Sequence, residues 1–152
     1  MLVSIVASLE VEGDMLVREA MNAVTVTIGP SHTMRDAARR MTKGGVGAAI
    51  VFDPELPGPG IVTERDVLAV AGGDLDLDRE LVCDHQTSEL VYAEPDWPMH
   101  RAAEAMNTGR FRHIVVIEDG DVVGILSMRD IVRRWVEDGF DLAAASGEVR
   151  AG

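Results

Sequence analysis

The sequence predicts an α/β (α+β) fold in which one small unit is used twice, and three observations carry that reading. The chain aligns with itself at a single offset over much of its length, both halves alternate strand-like and helix-like apolar periods in the same order, and GIVTERDVL at 60–68 returns as GILSMRDIV at 124–132. Shifted by 65 positions, Val17 falls on Val82, Val26 on Val91, Pro30 on Pro95, Met34 on Met99, Ala37 and Ala38 on Ala102 and Ala103, Met41 on Met106, Gly44 on Gly109 and Val51 on Val116, without a gap. Beyond Asp53 the offset falls to 64, because PELPGPG in the first copy is one residue longer than DGDVVG in the second. A unit of about 55 to 60 residues is marginal alone, so two are expected to bury together what one cannot.

Each copy presents its elements in one order. Residues 24–28 and 90–92 are short β-branched or aromatic runs ended by Gly29-Pro30 and Glu94-Pro95, and are predicted as brief strands. Met34, Ala37, Ala38 and Met41, and their counterparts Met99, Ala102, Ala103 and Met106, recur at helical spacing on one apolar face, with Gly44 and Gly109 as stops. Residues 48–52 and 114–117 are unbroken apolar runs suited to a sheet covered on both faces. Asp119-Gly120 signals a hairpin turn, whereas Pro54, Pro57 and Pro59 predict a longer, less regular loop in the first copy. The repeated phrase then enters a closing helix, whose inner face in the second copy is predicted as Ile131, Val132, Trp135 and Val136. The unit is thus strand, helix, strand, strand, helix. Residues 1–16 read as an N-terminal extension, 17–72 as the first domain, 73–81 as a linker, 82–138 as the second domain and 139–152 as a C-terminal tail.

Hydrophobic residues make up 47% of the chain and aromatics only 4%, so the core must come from Val, Ile, Leu, Ala and eight Met. Cys83 is the single cysteine, which excludes an intramolecular disulfide and suggests a reducing compartment; it is expected as a small buried hydrophobe. No apolar run approaches membrane-spanning length, and the apolar start, residues 1–9, lacks a basic flank and runs into Glu10, Glu12 and Asp14, so a cytoplasmic location is expected. The net charge of −12 repels nucleic acid, although a small anion in a locally basic pocket is compatible with it. His32, His85 and His100 have no metal-ligand spacing, and no zinc site is expected.

The repeated phrase has a structural meaning first. Thr63 with Asp66, and Ser127 with Asp130, fit a capping box worth about 1 kcal/mol per cap. Three features suggest more. A Gly stands three residues before each hydroxyl, where a missing side chain leaves room for something to approach the backbone. The acid is Asp both times although Glu or Gln is the usual partner, and strand-to-helix junctions are where α/β sheets bind ligands. A carboxylate accepts through two oxygens and so suits the vicinal hydroxyls of a ribose, which points to a nucleoside. Arg65 and Arg129, inside the phrase, read as exposed arginines neutralising their own Asp. No Walker loop, nucleophile elbow or metal cluster is present, so an enzyme is not expected.

The duplicated element order, together with G-h-x-[ST]-x-x-D at each second strand and helix, resembles the cystathionine β-synthase (CBS) domain family, and the tandem pair resembles a Bateman module, over roughly residues 15–138. The resemblance implies two domains packed sheet to sheet about a pseudo-twofold axis, with clefts for AMP, ADP, ATP or S-adenosylmethionine as regulatory ligand rather than cofactor. It also implies a homodimer regulating another protein. Carried over, Asp66 and Asp130 hold ribose hydroxyls, and Thr63 and Ser127 bind ribose or phosphate oxygens. The family often places basic residues before the central strand of a domain; that position reads Gly109-Arg110-Phe111-Arg112-His113 in the second copy but Gly44-Gly45-Val46-Gly47-Ala48 in the first. Arg112 and His113 are therefore expected to favour phosphates at one cleft, leaving the other empty or selective for a less charged ligand; the competing reading of Arg112 is a solvated loop charge. The competing reading of the whole is a ligand-free interaction scaffold in which both phrases are only caps.

Overall fold

The two unbroken apolar runs become central strands, because only a strand covered on both faces buries every side chain. The structure is a computed structural model describing residues 15–24 and 26–138. All but the last two residues of the expected N-terminal extension, and the tail from residue 139, lie outside the described residues. The first copy contains α1 (Val17–Ala20), β1 (Thr27–Ile28), α2 (Met34–Gly44), β2 (Ala48–Val51), β3 (Gly60–Thr63) and α3 (Glu64–Gly72). The second repeats them as α4 (Val82–His85), β4 (Tyr92–Ala93), α5 (Met99–Gly109), β5 (His113–Glu118), β6 (Asp121–Ser127) and α6 (Met128–Glu137). Each copy builds a three-stranded sheet, ordered β1-β2-β3 or β4-β5-β6, with the first pair parallel and the second antiparallel.

The alternation of a strand explains the core. In β2, Ala49 and Val51 join Ile28, Met34, Ala37, Met41, Val62 and Val70 under the helices, while Ala48 and Ile50 face the other sheet. There they meet Ile61 and Val115, so the two copies pack sheet to sheet. The hairpin turn has Asp119 at φ 52° and Gly120 at φ 86°, both left-handed, as a two-residue turn requires. The proline-bearing connection in the first copy is the longer of the two, with an Asp53 side chain accepting from the Glu55 amide at 3.0 Å.

The deeper connection between the copies is reciprocal and is carried by backbone. Asn22, leading into the first sheet, pairs with Ile125 on β6 of the second, both bonds being 2.9 Å; Thr87, leading into the second sheet, pairs in the same way with Ile61 on β3 of the first. Leu16 likewise bridges Pro98, and Leu81 bridges Thr33. The one-turn helices ride on these contacts: Val17 donates to the Trp97 carbonyl and Val82 to the His32 carbonyl, each at 2.9 Å. Consequently Val17 completes the core of the second copy and Val82 that of the first.

Several sequence expectations are corrected. The lead-in strands are shorter than predicted, because Val24 and Leu90 pack between the sheets rather than extending a ladder. The helix caps fall one residue later than the predicted stops, at left-handed Gly45 and Arg110. Val132 and Val136 are 50% and 74% exposed, so of the predicted inner face α6 buries Ile131 and part of Trp135; Leu68, the counterpart of Val132, is also exposed. Cys83 is exposed rather than buried. Its thiol is held above its ordinary value by what shielding it has and by the adjacent Asp84, which disfavours thiolate.

Gly124 is expected to be a sensitive position, since a Cβ there would meet the Asn22 carbonyl oxygen at 2.9 Å. Gly124→Ala should cost about 1 to 3 kcal/mol in urea unfolding. Val82→Ala should cost about 2 kcal/mol, and in hydrogen exchange its largest local loss of protection should fall on α2 of the other copy.

Candidate functional site

Both repeated phrases end a strand and start a helix, and the Asp at the third helical position reaches back over the junction. Asp130 is 7% exposed. Its Oδ2 accepts from the Ser127 amide at 2.9 Å and the Ser127 hydroxyl at 2.6 Å, while Ser127 Oγ accepts from the Asp130 amide at 3.1 Å. In the first copy, Asp66 Oδ2 accepts from the Thr63 amide at 2.7 Å and from Thr63 Oγ1 at 3.0 Å, and the hydroxyl takes no helix amide. The box is therefore reciprocal at Ser127 and Asp130, while at Thr63 and Asp66 the bonds made are those that Asp66 accepts. A third box with Asp as its acid, Thr33 with Asp36, opens α2. Asp thus serves as the acid of a hydroxyl box away from either cleft phrase, although Glu19 plays the acid's part at α1, and Asp is not by itself a sign of a ligand.

The glycines preceding the hydroxyls are also corrected. What approaches Gly60 is Gln86 and the Thr87 carbonyl, and what approaches Gly124 is Asn22 and Met21. The room they leave is filled by the other copy, to make the exchanged backbone pairs.

The clefts differ greatly in size. A cavity of about 830 Å³ brings Ser127 and Asp130 of the second copy against Val24, Met41 and the glycine-rich loop of the first, with Arg112 and His113 also on its wall. The matching cleft, which holds Thr63 and Asp66, is about 180 Å³ and faces the Arg110-to-His113 loop. Small-molecule sites fall at roughly 300 to 1,000 Å³. Each Asp thus faces the loop before the other copy's central strand, and the loop sequences account for the difference. Phe111 stands where the first copy has Val46, and lines the small cleft. Arg110, in left-handed conformation, accepts at its carbonyl from Nη1 of Arg65, a residue of the small cleft's lining, at 2.7 Å. Opposite Asp130, Gly44, Gly45 and Gly47 line the cavity; Gly45 borders open space, while Gly44 and Gly47 sit against the side chains of Val26 and Glu64.

Arg112 and His113 line both clefts, at the partition between them, rather than belonging to one. The large cavity carries Arg112, Arg129 and Arg133 with His113, against Glu64 and Asp130. It is locally basic in a chain of net charge −12. Arg65 does not neutralise Asp66, since it bonds the Arg110 carbonyl; Asp130 is paired instead with Arg133, one turn along α6. Sequence reasoning passed over Arg133, although an acid and an Arg three apart on a helix is a readable signal and the first copy has Ala69 there. Trp97 is half-buried at the start of α5 with the Arg101 guanidinium 3.6 Å over its ring. Among the described residues no group of three or more His, Cys, Asp or Glu side chains could hold a metal ion, and no helix is long and apolar enough to cross a membrane.

Comparison with known proteins gives a consistent picture. The model of the CBS domain matches residues 17–73 and 82–137. The CBS domain-containing protein CBSCBSPB3 of Arabidopsis thaliana is 32% identical over 141 residues, or 88% of this chain, and the chain spans about a quarter of that relative's length (25%). A solved hexameric CBS-CP12 protein from bloom-forming cyanobacteria superposes with a TM-score of 0.75 at 28% identity, over 87% of this chain and 79% of its own. A CBS domain protein from Pyrobaculum aerophilum, solved in complex with AMP, gives a TM-score of 0.69 at 30% identity, over 81% and 99%.

Burial pushes the His113 imidazole below its ordinary value; Glu64 and Asp130 oppose the shift, and Arg112 and Arg129 add to it. Folded chain resists this proton and unfolded chain does not, so the associated stability is present above about pH 6.5 and is lost as pH falls through the depressed folded value. His113→Gln, uncharged throughout, should flatten the fall in unfolding free energy between about pH 7 and pH 5, as read by denaturant titration at each pH.

Proposed function

The chain belongs to the CBS domain family, and from that premise we propose that it is a non-catalytic regulatory module that binds one adenosine-containing ligand per chain in the Asp130 cavity. The observation that carries this reading is the cavity itself, about 830 Å³, whose wall holds a buried carboxylate together with Arg112, Arg129 and His113. The chemistry is complementary to an adenine nucleotide. Asp130 takes the ribose hydroxyls, Ser127 a ribose or phosphate oxygen, and Arg112, His113 and Arg129 the phosphates. Val24, Met41 and Ile125 supply apolar wall for the base. The AMP-bound relative at 30% identity supports the ligand class. Thr63 and Asp66 keep the same chemistry behind Arg65 and Phe111, in a cleft too small for a nucleotide as it stands.

No reaction is part of the proposal. Ser127 and His113 stand opposite each other in the β5–β6 ladder, but the Ser127 proton is committed to Asp130, so the hydroxyl is held as a cap rather than paired with a base. Signalling would follow from unequal affinity for two conformations, passed to a partner protein. The homodimer expected from the sequence stands beside a hexameric likeness, so the assembly state is a matter for sedimentation measurements with and without ligand. The ligand-free scaffold has one observation in its favour: both Asp130 oxygens are already bonded within the chain.

Titration calorimetry with AMP, ADP, ATP and S-adenosylmethionine separates these readings. Binding of one molecule per chain is expected, weakened about tenfold or more by Asp130→Asn and unchanged by Asp66→Asn. Saturation with none of the four, in folded protein, would establish the scaffold; two equal sites would contradict the assignment to one cleft. Product analysis of the same mixtures should find every nucleotide intact.

A further inference from the structure

We infer that Arg133 sets the ligand specificity of the Asp130 cavity by pairing with the carboxylate oxygen that a ribose needs, and leaving it only for a phosphate. This rests on the assignment of the cavity to an adenosine-containing ligand and names which members of that class it accepts.

The valence of the carboxylate limits what it can hold. Asp130 Oδ2 is saturated by two donors, the Ser127 amide and hydroxyl. Oδ1 accepts from Arg133 Nη2, so one acceptor position remains for a vicinal diol that needs two. A neutral nucleoside must therefore compete with a guanidinium held by a charge-assisted hydrogen bond, about twice as strong as a neutral one. A phosphorylated nucleoside brings a replacement: its phosphate offers Arg133 an anionic partner of equal or better geometry, and the vacated Oδ1 takes the second hydroxyl.

The surroundings permit that exchange. The Arg133 side chain is 54% exposed while that of Asp130 is 10% exposed, so the arginine can swing without repacking the core and the carboxylate stays in place. Arg133 lines the same cavity as Arg112 and Arg129, which keeps it within the basic wall where a phosphate would lie. The first copy is the internal control: Ala69 stands at the matching position, and among the described residues Asp66 carries the Thr63 donors on Oδ2 and no arginine. The Arg133 contact is thus an addition to the capping box and not part of it.

The test compares AMP with adenosine by titration calorimetry on the full chain and on Arg133→Ala. In the wild type, AMP should bind at least about tenfold tighter than adenosine, and in Arg133→Ala that ratio should fall by about tenfold because AMP weakens while adenosine tightens. The gain for adenosine is the decisive readout, since neither a simple phosphate contact nor a structural role for Arg133 would produce it. Unchanged or weaker adenosine binding in the variant, with AMP binding intact in the wild type, overturns the exchange and leaves the assignment of the cavity standing. Binding of neither compound to wild type or variant overturns the exchange, and failure of ADP, ATP and S-adenosylmethionine to bind as well overturns the assignment. Arg133→Met, which keeps the aliphatic stem, repeats the comparison if the alanine variant loses helix.

Discussion

The structure depends on an exchange of backbone between two copies of one unit. Each copy places its lead-in segment on the edge strand of the other, through Asn22 with Ile125 and Thr87 with Ile61, and each lends a valine, Val17 or Val82, to the other's core. A three-stranded sheet of this size leaves an edge exposed and a core incomplete. The exchange covers both at once. Because donors and acceptors are main-chain groups, almost any residue could stand at these positions, except where backbones cross too closely for a side chain. Gly60 and Gly124 mark those crossings.

That same exchange makes the clefts. Holding the copies by reciprocal arms brings each strand-to-helix junction against the loop before the other copy's central strand, so every cleft has one wall from each copy. The symmetry of the backbone then lets the side chains differ without disturbing the frame. A glycine-rich loop, with Gly45 bordering open space, lines one cleft, while Phe111 and Arg65 line the other. A left-handed Arg110 costs about 1 to 2 kcal/mol relative to an allowed conformation, a cost that the surrounding contacts must offset. The difference between the clefts is therefore built in, and is more than the absence of a ligand-binding residue.

What was legible in the sequence divides along physical lines. The helices at Met34 and Met99, the central strands and the Asp119-Gly120 turn rest on local periodicity and local turn chemistry, and they fold where those signals stand. The one-turn helices α1 and α4 were not legible, because four residues carry no period and their reason for existing is a hydrogen bond to another copy some eighty or fifty residues away in sequence. Val132 and Val136 fit a helical face by spacing, yet the narrow contact of α6 with its sheet leaves them outside. At the site, Ser127, Asp130, Arg112 and His113 were singled out in the sequence and come together around one cavity. That Arg112 and His113 stand between two clefts, and that Phe111 reduces one, follows from packing across copies and leaves no trace in the order of residues.

The repeated phrase is now better understood as two layers of one motif. Its hydroxyl and acid are bonded within the chain in both copies, and at Ser127, whose hydroxyl accepts from the helix, the cap contributes about 1 kcal/mol. That layer explains why Thr63 and Asp66 are present even though their cleft is small. The second layer needs open space in front of the carboxylate and positive charge beyond it, and only the Asp130 junction has both. A capping carboxylate is well suited to such double use. Its Oδ2 is fixed by the backbone and hydroxyl of the cap, which holds Oδ1 in a constant direction without help from a ligand. Recognition can then be added by residues outside the motif, an arginine one turn along the helix or glycines in the facing copy, while the motif itself continues to serve the fold.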